Sequence, residues 1–222
     1  MRRTAEILVT VFLLAACSGG AVDPVDETIP PGVGETTPVA SVEALVDAVE
    51  AGDFADASRL AVPGQAALAS LAEGASFADV AAGLRDGDEE IAANFWAGFA
   101  QGAGSYLVGP LDAADSGTID ESGVEFALVS VTPSEGDSRQ LYLRDEDGYR
   151  IDIFASFGTG LADKMIAPAE RLLTSQTEDA RLVLKALEGI VPSLLVAARQ
   201  EGVPNDVSQE ILTLVEVITR VG

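Results

Sequence analysis

An α+β fold is predicted by two changes in hydrophobic period along the chain. Apolar residues recur at helical spacing from 39 to 103, alternate with period two from 104 to 157, and return to helical spacing from 158 to 222. Helices gathered on either side of an antiparallel run of strands give the α+β class rather than alternating βαβ units. The expected architecture is N-terminal helices, a curved antiparallel sheet and a C-terminal helical extension.

The first sixteen residues have the character of a secretory signal. Arg2 and Arg3 supply a basic start, Ile7 to Leu14 an apolar core, and Ala15 and Ala16 small residues before Cys17. The apolar run is too short and too close to Glu6 for a spanning helix, which needs roughly 20 apolar residues. Leu14-Ala15-Ala16-Cys17 resembles the lipobox of bacterial lipoproteins. That resemblance implies cleavage before Cys17, a diacylglycerol thioether on its sulfur, and residence on the extracytoplasmic face of a bacterial envelope. Membrane attachment would then run through the lipid on Cys17, since fatty chains gain about 0.8 kcal/mol per buried methylene.

Residues 18–38 are rich in Gly, Pro, Thr and acids and lack either period. Together with Cys17 they read as a lipidated, disordered tether spanning 17–38, with a reach of about 25 Å. The folded part divides by period into an α+β segment over 39–157 and a helical extension over 158–222.

Ser41 is the expected cap of a first helix, followed by Val42, Leu45, Val46 and Val49 on one face. Gly52 closes that helix and Asp53 opens a short second one ending before Pro63. Ser76 and Asp79 suggest a capped turn carrying Val80 and Leu84. Asp86-Gly87-Asp88 interrupts it. Glu89 and Glu90 then start a helix with Ile91, Phe95, Trp96 and Phe99, where acids suit the helix dipole.

In the central region, Tyr106-Leu107-Val108 is expected to start a strand that ends near Gly109-Pro110. Val124 to Val129 is apolar on both faces and is placed inside a sheet. Gln140–Asp145 and Tyr149–Phe154 form a hairpin around Glu146-Asp147-Gly148. A two-residue turn would oppose Leu143 to Asp152. A three-residue turn with Gly148 left-handed opposes Leu143 to Ile151 and Leu141 to Ile153, and is preferred because it keeps one apolar face. Tyr142, Arg144, Arg150 and Asp152 then share the other face. Beyond 158, a helix over Ala162–Leu173 contains Pro168, Thr177 caps the next, Pro192 bends or ends it, and Asn205 or Asp206 starts the last.

The paired helices around Ala51-Gly52-Asp53, with the later Asp147-Gly148-Tyr149-Arg150-Ile151-Asp152, resemble the nuclear-transport-factor-two-like family over residues 39–157. That resemblance implies a cone with a pocket at its wide end. Members that are enzymes use polar residues in that pocket, and the corresponding candidates here are Tyr106, Tyr142 and Asp152, with Trp96 as an apolar wall. A raised Asp152 pKa would make it a base and a tyrosine could donate to an oxyanion. An ion pair of Asp152 with Arg144 or Arg150 on a solvated sheet face is the simpler reading and the favoured one.

Composition narrows the chemistry further. A net charge of −23 opposes nucleic acid and anionic headgroups. With no His, and with the single Cys at position 17, the His-based triads and the common zinc sites are excluded. Asp86, Asp88, Glu89 and Glu90 fit no calcium loop, and the loop at 143–154 has Leu143 and Phe154 where an EF-hand needs its first and last ligands. No cofactor and no metal are expected. The function expected is a lipid-anchored, non-enzymatic module that binds an apolar small molecule or an envelope protein. The apolar helices 189–198 and 211–218 are expected to pack on each other or on the open sheet face, with a docking surface for a partner or second copy as the alternative. A small His-free enzyme using Tyr and Asp for proton transfer is the alternative.

Overall fold

The computed structural model describes residues 34–103, 106, 107, 109–175 and 177–220. The signal segment, Cys17, most of the tether and Val108 therefore lie outside the described residues. The fold is α+β: ten α-helices among the described residues and one open, antiparallel four-stranded sheet.

Helix α1 (Pro38–Ala51) starts earlier than its apolar stripe suggests. Thr37 is the cap, accepting from the Ala40 amide at 3.2 Å, and Pro38 occupies the first turn, where its missing N–H costs nothing. Ser41, expected as the cap, is buried one turn inside, and its hydroxyl donates to the Tyr149 carbonyl at 2.5 Å. The helix ends at Gly52, whose φ of 72° lets its N–H reach back to the Ala48 and Val49 carbonyls. Asp53 then caps α2 (Phe54–Arg59) through the Asp56 amide at 3.1 Å.

A short helix α3 (Gln65–Ala69) and a 3-10 turn (Ser70–Glu73) follow in a stretch the periodicity left unassigned. Helix α4 (Phe77–Asp86) is capped by Ser76 and ended by Gly87, as expected. Asp88 Oδ1 accepts from the Glu90 and Ile91 amides at the start of α5 (Glu89–Ala103), so this carboxylate serves as a helix cap.

The sheet has the order β1-β2-β3-β4, with β1 (Leu111–Glu121), β2 (Val124–Pro133), β3 (Arg139–Asp145) and β4 (Tyr149–Ile151). The strand expected at Tyr106 is a correction: Tyr106 and Leu107 lie in a turn, and the first strand begins only after Pro110. Strand β2 is interior, with Ala127, Val129 and Val131 in the main core and Phe126 in a smaller cluster with Tyr142, Ala155 and Val196. Apolar character on both faces of β2 follows from that double burial.

The hairpin has the three-residue turn, with Leu143 opposite Ile151 and Gly148 at φ 107°. The expected pairing of Leu141 with Ile153 does not form. Strand β4 stops at Ile151 because Asp152 caps α6 (Ile153–Phe157), which turns Ile153 into the first helical residue. On its free side β4 is met by Glu35, through the Tyr149 amide at 2.9 Å, and by the 60–62 segment, through the Ile151 amide and carbonyl. That edge is therefore covered rather than open.

Helices α7 (Ala162–Thr174), α8 (Glu178–Gly189), α9 (Val191–Ala198) and α10 (Asn205–Thr219) complete the molecule. Thr177 caps α8, and the chain breaks at Ile190 with Pro192 in the first turn of α9. Leu194, Ile211, Leu214 and Ile218 are buried in the same core as Val42, Leu45, Leu141 and Phe154. The apolar stripes of α9 and α10 are thus largely used within the chain.

Candidate functional site

Asp152 is fully buried and its two oxygens accept four hydrogen bonds. Oδ1 accepts from the Ala155 amide at 2.8 Å, which is the α6 cap. Oδ2 accepts from Arg144 Nε at 2.7 Å, Ser193 Oγ at 2.8 Å and Gln65 Nε2 at 2.9 Å. Gln65 Oε1 in turn accepts from the Ile153 amide at 2.6 Å, and Arg144 also donates to Ser193 and Glu146. One carboxylate therefore joins α3, β3, α6 and α9. The Arg144 partner follows from the sequence reading, but the solvated sheet face does not: α6 begins at this point and carries Asp152 into the interior. Gln65 and Ser193 were not foreseen, since both come from distant segments. The Asp-Ile-Phe-Ala cap pattern is the local signal that could have moved Asp152 off the strand.

The other three candidates are spread around the core. Trp96 is fully buried, its indole N–H donates to Ser58 Oγ at 2.9 Å, and its ring packs edge-on against Phe95 and Phe99. Tyr106 donates to the Asp137 carbonyl at 3.3 Å. Tyr106 and Tyr142 both lie in the field of Arg139, whose guanidinium sits 5.3 Å from the Tyr106 ring centre and 4.9 Å from that of Phe157. Burial pushes the Tyr142 phenol above its ordinary value, with Arg139 opposing the shift. Burial likewise lowers Arg139, opposed by the two tyrosines. The structure brings Tyr106 and Tyr142 to one guanidinium, joins Asp152 to Tyr142 through the Asp152 amide and the Tyr142 carbonyl at 2.8 Å, and places Trp96 in an aromatic group with Phe95 and Phe99.

Among the hollows on the surface of the described residues, two stand out, and none of the four residues lines either. The more open one, about 370 Å³, lies by the hairpin, where Glu125, Asp145 and Glu146 surround Arg144. The other is a cleft of about 300 Å³ bounded by α2, α3, α4 and the start of α5. Its walls are mostly methyl groups: Ala55, Ala66, Ala67, Ala81 and Ala92, with Leu84 and Phe77. Alanines at these positions leave unfilled the volume that leucines would occupy. Helices α4 and α5 are already in contact, since a Cβ on Gly83 would fall 2.2 Å from Ile91 Cδ1. Ser58 lines the cleft and carries the hydrogen bond to Trp96 behind it. Its volume stands at the lower end of small-molecule sites, roughly 300–1,000 Å³. Arg59, Arg85 and Asp86 complete the lining.

Among the described residues no group of three or more His, Cys, Asp or Glu is arranged to hold a metal ion. No helix of the described residues is long and apolar enough to cross a membrane. No family model, curated protein or solved structure matches this chain.

Proposed function

We propose that the chain is a lipid-anchored binding module of the bacterial cell envelope, held by a lipid on Cys17, which takes a small apolar molecule into the cleft between α2 and α4. The observation that carries the binding role is the cleft itself: about 300 Å³, with walls formed mainly by apolar side chains. A proton-transfer role for Asp152 is less well supported, because four donors occupy its oxygens and neither hollow reaches it.

The anchor and the cleft are tested separately. Replacing Cys17 with Ser should abolish incorporation of labelled palmitate and leave the precursor unprocessed; retained labelling would sink the anchor. For the cleft, the native mass of residues 18–222 purified from cells should exceed the denatured mass by that of a small apolar molecule. A cleft-filling Ala81→Leu should lose the added mass while keeping its circular dichroism. Added mass that persists in Ala81→Leu would place the ligand elsewhere.

A further inference from the structure

The cleft has an apolar interior and three charged lining residues, two of them basic in a strongly acidic molecule. Arg59 at the end of α2 and Arg85 near the end of α4 both line it, against one lining carboxylate, Asp86. The whole chain has 13 Lys and Arg against 36 Asp and Glu, so a cleft whose two arginines are matched one for one by Asp56 and Asp86 is far less acidic than the molecule as a whole. Each guanidinium has an acidic neighbour, Asp56 for Arg59 and Asp86 for Arg85, the second at 3.4 Å. Both pairs are exposed to water, with arginine side chains 49% and 36% accessible. Exposed ion pairs of this kind contribute little, so either guanidinium can turn to a better acceptor at small cost. The distant carboxylates responsible for the net charge are screened beyond about 8 Å at physiological salt. Inside, the one hydroxyl, Ser58, is already engaged: it donates to the Phe54 carbonyl at 2.8 Å and accepts from Trp96. The interior therefore suits a hydrocarbon chain, and the lining charge an anionic head.

We infer that the ligand is a single-chain amphiphile with a carboxylate or other anionic head, its hydrocarbon lying along the alanine wall and its head held by Arg59 and Arg85. This rests on the binding role proposed for the cleft and specifies its ligand class. The guanidinium forks of Arg59 and Arg85 suit the paired oxygens of a carboxylate or phosphate better than the single hydroxyl of an alcohol.

The test is equilibrium binding of dodecanoate, dodecanol and dodecyltrimethylammonium, each below its aggregation threshold, to residues 18–222, which include every described residue. Dodecanoate should bind at least about tenfold more tightly than dodecanol, and the cation more weakly than either. The double variant Arg59→Gln, Arg85→Gln should bring dodecanoate down to the level of dodecanol without weakening dodecanol itself. Ala81→Leu should weaken both. Equal binding of acid and alcohol by the parent chain, or selectivity that survives the double variant, would overturn the anionic-head assignment and leave the apolar cleft standing. Absence of binding by all three would overturn the cleft reading with it.

Discussion

At Asp152 a single side chain decides how four elements meet. Replacement by Ala removes the α6 cap, leaves the buried Gln65 amide and Ser193 hydroxyl without their acceptor, and takes from Arg144 its closest and most buried carboxylate partner. Breaking one side of a buried pair costs about 3–5 kcal/mol, against about 1 kcal/mol for the cap alone. The expectation for Asp152→Ala is a loss in that larger range, read as a drop in urea midpoint at unchanged slope. A loss no greater than that of a simple cap would mean the network contributes little. Tyr142 gives a pH-dependent counterpart. Its folded-state pKa lies above its unfolded value of about 10, so the folded protein holds the proton more tightly. Its contribution is fully present below pH 10 and declines as pH rises through the folded value. Tyr142→Phe should therefore lose stability less steeply than the parent between pH 10 and 11 in urea titrations, while matching its slope from pH 8 to 9. Little of this was legible beforehand. Strand register offered Arg144 to Asp152, because pairing across a hairpin is local. Gln65 and Ser193 reach it from segments separated by most of the domain, and no periodic signal marks such a meeting.

Among the elements, the β3–β4 hairpin is bound to the entering chain by a close approach of two glycines. The Gly34 amide donates to the Asp147 carbonyl at 3.1 Å, and a Cβ on Gly148 would lie 2.4 Å from the Gly34 oxygen. Gly87, at φ 74°, has open space around it and serves as the comparison. Gly87→Ala should cost the left-handed backbone penalty alone, about 1–2 kcal/mol. Gly148→Ala should cost more, and should speed hydrogen exchange at the Tyr149 amide by displacing Glu35 from it. Equal costs at the two sites would show that the approach of Gly34 is not tight in solution. The glycine at 148 was legible because a turn of this length between apolar runs requires it. Strand β1 was not: Leu111–Glu121 carries few β-branched or aromatic residues, and acids on both faces. It is a strand because β2 lies beside it, with a shift in register between Asp115 and Gly117. The same acids suit an edge, where unpaired backbone would otherwise invite another chain.

Across the whole molecule, periodicity places a boundary near residue 158, yet burial does not stop there. One cluster runs from Val42 and Leu45 through Val129, Leu141 and Phe154 to Leu187, Leu194, Ile211 and Ile218, each at most 1% exposed. Ser193 reaches across the boundary to Asp152 as well. Period reports which residues of a helix face inward; it carries no information about which other element they face, and so the helical tail could be expected to pack on itself or on the sheet without either partner being singled out. A chain ending at 157 would expose Phe154, Ile153 and the sheet residues beneath α9, at about 1.5–3 kcal/mol for each large side chain left in water. A handful of such side chains consumes the 5–15 kcal/mol that typically separates folded from unfolded domains. Residues 34–157 alone should accordingly show no cooperative thermal or urea transition, whereas residues 18–222 should unfold in a single step seen alike by Trp96 fluorescence and by far-ultraviolet circular dichroism. Trp96 lies on the N-terminal side of the boundary whereas the helix signal comes from both sides, so circular dichroism includes the C-terminal helices that Trp96 does not itself report. Coincident curves require one cooperative core. Two separated curves, or a cooperative 34–157 fragment, would make the C-terminal helices a detachable layer and return α9 and α10 to the surfaces on which a partner could dock.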